Sequence, residues 1–126
     1  MHRSRVSTLL VDVPQDDVGP ALAFWSAALG VTPRPVPGEP QYTDLPEVVP
    51  GLVVAVQSVD DAPRYHLDIE TDDVDAETAR LVGHGATEIA RWLDCRTLRV
   101  PGGHLVCVIP LHSDPEAFGR AARTWS

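Results

Sequence analysis

Two stretches of this chain repeat one pattern. Thr8-Leu-Leu-Val-Asp-Val leads through Asp16-Asp17-Val18 into a run of helical spacing that stops at Leu29-Gly30-Val31. His66-Leu-Asp-Ile-Glu-Thr leads through Asp72-Asp73-Val74 into a second such run, which stops at His84-Gly85-Ala86. A repeat offset by about half the chain implies one supersecondary unit used twice, with a site where the copies meet. The constraint is architectural: it describes a container and leaves any reaction inside it open.

A chain of 126 residues is one domain's worth and can bury roughly two-thirds of its unfolded surface. No apolar run approaches the ~20 residues that span a membrane. The basic start, Met1-His-Arg-Ser-Arg, lacks the apolar run and small-residue cleavage site of a signal peptide, so a cytoplasmic protein is expected. The net charge of -8, with ten scattered Arg and no Lys, argues against sequence-independent nucleic-acid binding.

Leu9, Val11 and Val13 alternate with Thr8, Leu10 and Asp12, which predicts a strand over residues 6–13. Asp16 or Asp17 caps a helix whose apolar stripe is Val18, Ala21, Leu22, Trp25 and Leu29, with Trp25 in the core and Gly30 at the stop. The proline-rich stretch that follows allows an edge strand and a surface loop. Short strands are expected at 41–45 and 52–59, separated by a Pro50-Gly51 turn. The second half repeats the order. A strand over 65–71 buries Leu67 and Ile69, and a helix carries Val74, Thr78, Leu81 and Val82 on one face. A strand over 87–93 follows, then a hairpin with arms 95–100 and 105–109. Residues 113–125 are expected to form a terminal helix capped by Asp114, with Pro115 at its first position. Centring the hairpin on Pro101–His104 sets Cys107 opposite about Leu98 and Cys95 opposite about Pro110. The thiols are then too far apart for a disulfide and are expected free and buried.

Arg64-Tyr-His-Leu-Asp-Ile-Glu-Thr-Asp-Asp-Val-Asp-Ala, then Gly85-Ala-Thr, then Val100-Pro-Gly-Gly-His-Leu-Val-Cys-Val resembles the second module of the glyoxalase/bleomycin-resistance/dioxygenase (vicinal oxygen chelate) superfamily. Ala23-Phe-Trp-Ser-Ala-Ala-Leu-Gly-Val is similar to the segment after that family's first strand. The resemblance implies an α+β fold: two βαβββ modules forming a cup-shaped mixed sheet, helices on the outer face and ligand inside. The whole chain is expected to be a single domain, with module one at 6–59, module two at 64–110 and the tail helix beyond. It also implies a homodimer, since the family often pairs modules between chains. The family's metal-ligand positions fall on Thr8, Gln57, His66 and Cys107. One imidazole beside two neutral oxygens does not hold a divalent ion tightly, and a His/Cys pair lacks a third strong ligand. No cofactor is expected, with a divalent metal as the less favoured alternative.

Alternation points His66 into the cup with Asp68 and Glu70. His66 is either an acid/base or ligand-binding group, or a former ligand position satisfied by Gln57 or water. Asp12, Asp68 and Glu70 either form an acidic rim that attracts an amine, or are solvated or interface charges. Tyr42 and Trp92 either wall a planar ligand or simply pack. Cys107 is a nucleophile if a base lies within reach, and otherwise a small apolar residue. His84, His104 and His112 are expected to be exposed, and no phosphate-binding motif is present. Three functions remain open. The first is metal-independent binding of a small molecule, as in antibiotic-sequestering relatives. The second is a lyase, isomerase or dioxygenase of the vicinal oxygen chelate type. The third is an interaction module using the terminal helix. Neither nucleic acid nor membrane is expected as a partner.

Overall fold

The structure, a computed structural model, describes Met1–Ser126 throughout. Nine strands and three helices give an α+β fold with mixed strand pairing, arranged in two compact units. One unit is Thr8–His66; the other combines Met1–Ser7 with Leu67–Ser126. None of the helices is long and apolar enough to cross a membrane.

The Thr8–His66 unit contains most of β1 (His2–Pro14), α1 (Val18–Leu29), β2 (Arg34–Val36), β3 (Glu39–Asp44) and β4 (Val53–Val59). Its strand order is β2-β3-β4-β1, with β4 parallel to β1 and the remaining pairs antiparallel. The proline-rich β2 lies at the end of this order, where a missing N–H costs no ladder bond. Leu9, Val11 and Val13 pack with Val54 and Val56 against Val18, Ala21, Leu22 and Trp25 of α1, the stripe expected from sequence. Leu29 instead ends the helix 39 % exposed, and Val31 makes the contact. Gly30 stops α1 at φ 68°, a left-handed conformation in which its N–H reaches the Ser26 carbonyl. Asp17 makes no side-chain cap; a 3-10 turn over Gln15–Asp17 precedes the helix instead.

The other unit holds β5 (Arg64–Thr71, from Leu67 on), α2 (Val74–Gly83), β6 (Thr87–Trp92), β7 (Cys95–Arg99), β8 (Leu105–Pro110), α3 (Pro115–Ala121) and β9 (Arg123–Trp125). The order β5-β8-β7-β6 repeats β1-β4-β3-β2 strand for strand, the topological form of the sequence repeat. Ala86, Leu98 and Val108 form its core, covered by Val74, Leu81 and Val100. Asp73 caps α2 by accepting from the Ala76 N–H. At 3.6 residues per turn, Val74, Glu77, Thr78 and Leu81 span an arc of about 100°, and Val82 lies about 40° beyond it. Val82 is accordingly 44 % exposed, against expectation.

Four further expectations are corrected. Leu67 is 37 % exposed while Glu70 on the opposite face is fully buried, because Glu70 has polar partners and α2 covers Leu98 and Val108 rather than Leu67. The hairpin is centred on Gly102, with the Val100 N–H on the His104 carbonyl, so Cys107 pairs with Thr97 rather than Leu98. Both cysteines are free and half-buried. The terminal helix ends at Ala121, where Ala122 turns extended and residues 123–125 join His2–Ser4 as antiparallel β9. Trp125 fixes that strand by donating its indole N–H to Ser4 Oγ at 2.9 Å.

Candidate functional site

In the Thr8–His66 unit, α1 covers the odd-numbered face of β1, so alternation turns Thr8, Leu10 and Asp12 to the other face. The register sets Asp12 beside Gln57 and Gln57 beside Tyr42, giving a lateral row across β1, β4 and β3. Gln57 Nε2 donates to Tyr42 Oη at 3.4 Å, a long bond. Thr8 shares this face further along β1 and is buried.

β5 begins with Arg64 and His66 on one face, and both meet Asp12. His66 Nδ1 lies 2.7 Å from Asp12 Oδ2, and Arg64 Nε donates to the same oxygen at 3.1 Å. Asp12 is 1 % and His66 8 % exposed, so their contact is shielded from solvent, while Arg64 reaches the surface. Arg64 is anchored from outside by Asp61 Oδ2 at 2.7 Å. That hydrogen bond, against the opposing effect of burial and with help from the Asp12 charge, holds the Arg64 guanidinium above its ordinary range. The second Asp12 oxygen, Oδ1, is buried without a hydrogen-bond partner. An unsatisfied buried acceptor costs about 1–3 kcal/mol, more when charged, and marks where a donor is wanted.

The other unit places the remaining residues differently. Glu70 is neither a rim carboxylate nor a solvated one. It is fully buried and accepts from Arg5 Nε at 2.9 Å, from the His112 and Ser113 N–H groups at 3.2 Å, and from the Ser113 hydroxyl. Burial pushes its carboxyl up, but the Ser113, Arg5 and His112 hydrogen bonds outweigh that and hold it below the usual range. Cys107 Sγ lies 3.6 Å from Thr97 Oγ1. Burial, then the Cys107 and Asp68 charges, pushes the Cys95 thiol up. Asp68 is half-buried, and Trp92 is 68 % exposed at the end of β6.

The residues at the family's four metal positions do not fit a tightly held ion. Thr8 and Gln57 are neutral, Gln57 is engaged by Tyr42, and Asp12, the one buried carboxylate of its unit, is already neutralised by a guanidinium. Sequence reasoning missed Arg64 as a site residue; its two-residue spacing from His66 was the available signal.

Residues 8–109 match the family model described as glyoxalase-like domain. The chain belongs to that family. Three solved structures share the glyoxalase-like fold. Hypothetical protein BH1468 from Bacillus halodurans C-125 is 11% identical with a TM-score of 0.61, over 88% of this chain and 96% of that one. A glyoxalase/bleomycin resistance protein/dioxygenase superfamily member from Vibrio splendidus 12B01 is 14% identical with a TM-score of 0.55, over 85% and 98%. A methylmalonyl-CoA epimerase from Streptomyces coelicolor, in complex with 2-nitronate-propionyl-CoA, is 15% identical with a TM-score of 0.54, over 86% and 98%. At these identities the likeness shows the fold alone. No curated protein matches the chain.

Proposed function

We propose that this glyoxalase-like protein binds a small organic molecule, without a resident metal, over the face bearing Thr8, Asp12, Tyr42, Gln57 and His66. The observation that carries the proposal is Asp12. Arg64 supplies the positive charge beside this carboxylate, while its orphaned Oδ1 calls for a ligand N–H or O–H. Gln57 and Tyr42 add neutral hydrogen-bonding groups along the same row. With Asp12 and Glu70 both neutralised by arginine, the expected acidic rim is reduced to Asp68, and a cationic ligand is no longer favoured.

Metal analysis and a thermal-shift panel of small hydroxylated and amide-bearing metabolites test this. The purified protein should carry no stoichiometric metal. A ligand from the panel should raise the melting temperature, and Gln57→Ala or Tyr42→Phe should reduce the shift. Stoichiometric zinc, nickel, manganese or iron that disappears in His66→Ala refutes the proposal.

The Asp12–His66 contact supports a second reading, proton transfer as in a lyase or isomerase. A carboxylate on Nδ1 fixes the tautomer that leaves Nε2 as the basic nitrogen, the arrangement of an oriented general base. Exchange of a ligand carbon-bound proton with deuterated water, lost in His66→Gln, separates this reading from binding alone.

A further inference from the structure

The unit formed by Met1–Ser7 and Leu67–Ser126 carries an open cavity of about 350 Å³ that lies within that unit alone. Three guanidinium groups from three elements line it: Arg5 of β1, Arg80 of α2 and Arg123 of β9. Glu77 is the only carboxylate in the lining, and it is fully buried. Both Glu77 oxygens are taken up by Arg80, at 2.8 and 2.9 Å, and His2 Nε2 also lies 2.8 Å away. Arg80 is further fixed by stacking over the Trp125 ring, 3.8 Å from its centroid. Arg5 directs Nε to Glu70, outside the lining. The Arg123 side chain is exposed and makes no hydrogen bond or ion pair, while its backbone lies opposite Ser4 in the β1–β9 ladder.

Arg5 and Arg80 are balanced by Glu70 and Glu77, which leaves the Arg123 guanidinium as the uncompensated charge of the wall, in a chain whose net charge is -8. A local reversal of sign in a concavity concentrates anions. Guanidinium forks match the planar oxygens of carboxylates and the oxygens of phosphates, and two of the three are pre-positioned by their ion pairs. The volume lies in the range of small-molecule sites rather than bare-ion sites. Val6, 42 % exposed, and Trp125 supply apolar wall.

We propose that this cavity binds a small organic anion, with its carboxylate or phosphate on Arg123 and its apolar body against Val6 and Trp125. The site is independent of the Asp12–His66 row, so neither proposal depends on the other.

Thermal shift and calorimetric titration of the full chain against octanoate, phenyl phosphate, inorganic phosphate and octylamine test it. Octanoate, phenyl phosphate or both should bind, raising the melting temperature by about 5 °C at a tenfold excess over Kd. Which of the two binds distinguishes a carboxylate from a phosphate site. Inorganic phosphate should bind at least tenfold more weakly, and octylamine not at all. Arg123→Glu should leave the melting temperature of the free protein unchanged, because Arg123 has no partner to lose, and should weaken binding at least tenfold. Raising salt from 50 to 500 mM should weaken it further. Silence of both organic anions to 10 mM, or binding unaffected by Arg123→Glu, overturns the proposal.

Discussion

Replacing Glu70 with alanine tests whether this carboxylate holds the fold together or faces a ligand. It is fully buried, and the Arg5 side chain bonded to it is only 14 % exposed. Removing it leaves a nearly buried guanidinium, two backbone N–H groups and the Ser113 hydroxyl without their acceptor. Breaking one side of a buried ion pair costs about 3–5 kcal/mol, mostly from the charge left behind. For 126 residues at about 2.1 cal/mol/K each, the unfolding entropy is about 0.26 kcal/mol/K, so the melting temperature should fall by about 11–19 °C. Glu70→Gln keeps an acceptor for the backbone groups but offers Arg5 no charge, and should fall by about half as much. Calorimetry at pH 7 reads both variants. The gap between wild type and Glu70→Gln should hold down to the unfolded-state value of about 4.3 and narrow below it, as pH falls toward the lower folded value. A ligand-facing carboxylate with no protein partner behaves oppositely, since removing it relieves an unsatisfied charge and leaves stability level or higher. A loss below about 4 °C in Glu70→Ala, or a gap that does not change with pH, refutes the structural role.

Glu70 and Glu77 are both held below the ordinary carboxyl range, Glu77 because the Arg80, Ser4 and His2 hydrogen bonds outweigh its burial. Their contribution to stability is complete above the unfolded-state value of about 4.3 and is lost as pH falls through the lower folded values. Urea midpoints should therefore hold level from pH 7 to 5 and drop below about pH 4. Asp12→Asn should cost about 1–3 kcal/mol, and nitrogen NMR should show the His66 proton no longer confined to Nδ1. Leu98 is fully buried in its unit's core, and Leu98→Ala should cost about 2–5 kcal/mol in a denaturant titration.

Apolar periodicity and turn chemistry made most of the fold legible. The α1 stripe, the Gly30 stop, the Asp73 and Asp114 caps and the edge position of β2 all follow from local rules that tertiary packing did not override. The failures share another cause. β9 was hidden because Arg123-Thr-Trp has no pattern of its own; it is a strand because His2–Ser4 offers it hydrogen bonds. The hairpin register was missed by one residue because both Gly102 and Gly103 adopt positive φ, which shifts the centre of the turn. Strand alternation and helical spacing assign Leu67 and Val82 to inward faces, although burial depends on what covers a face.

The carboxylates show why the site was harder to read than the fold. Aligning the repeat sets Thr8 beside His66 and Asp12 beside Glu70, so duplication places an acidic side chain four residues after the first strand position in both modules. Both are essentially fully buried, and each is met by an arginine from another strand: Arg64 of β5 for Asp12, Arg5 of β1 for Glu70. A carboxylate without water must be paired or protonated, so a fold that repeats the acid must supply the base twice. The two arginines come from strand segments that the sequence pattern treats as unremarkable edges, Arg5 three residues before Thr8 and Arg64 two before His66. The two carboxylates differ in the further donors that reach them, His112 and Ser113 for Glu70 and His66 for Asp12. Glu70 receives donors on both oxygens, whereas both Asp12 contacts fall on Oδ2 and Oδ1 is left unsatisfied. One copy of the motif has thus become a structural clasp. The other retains an acceptor still in want of a donor, which is the property a binding site needs.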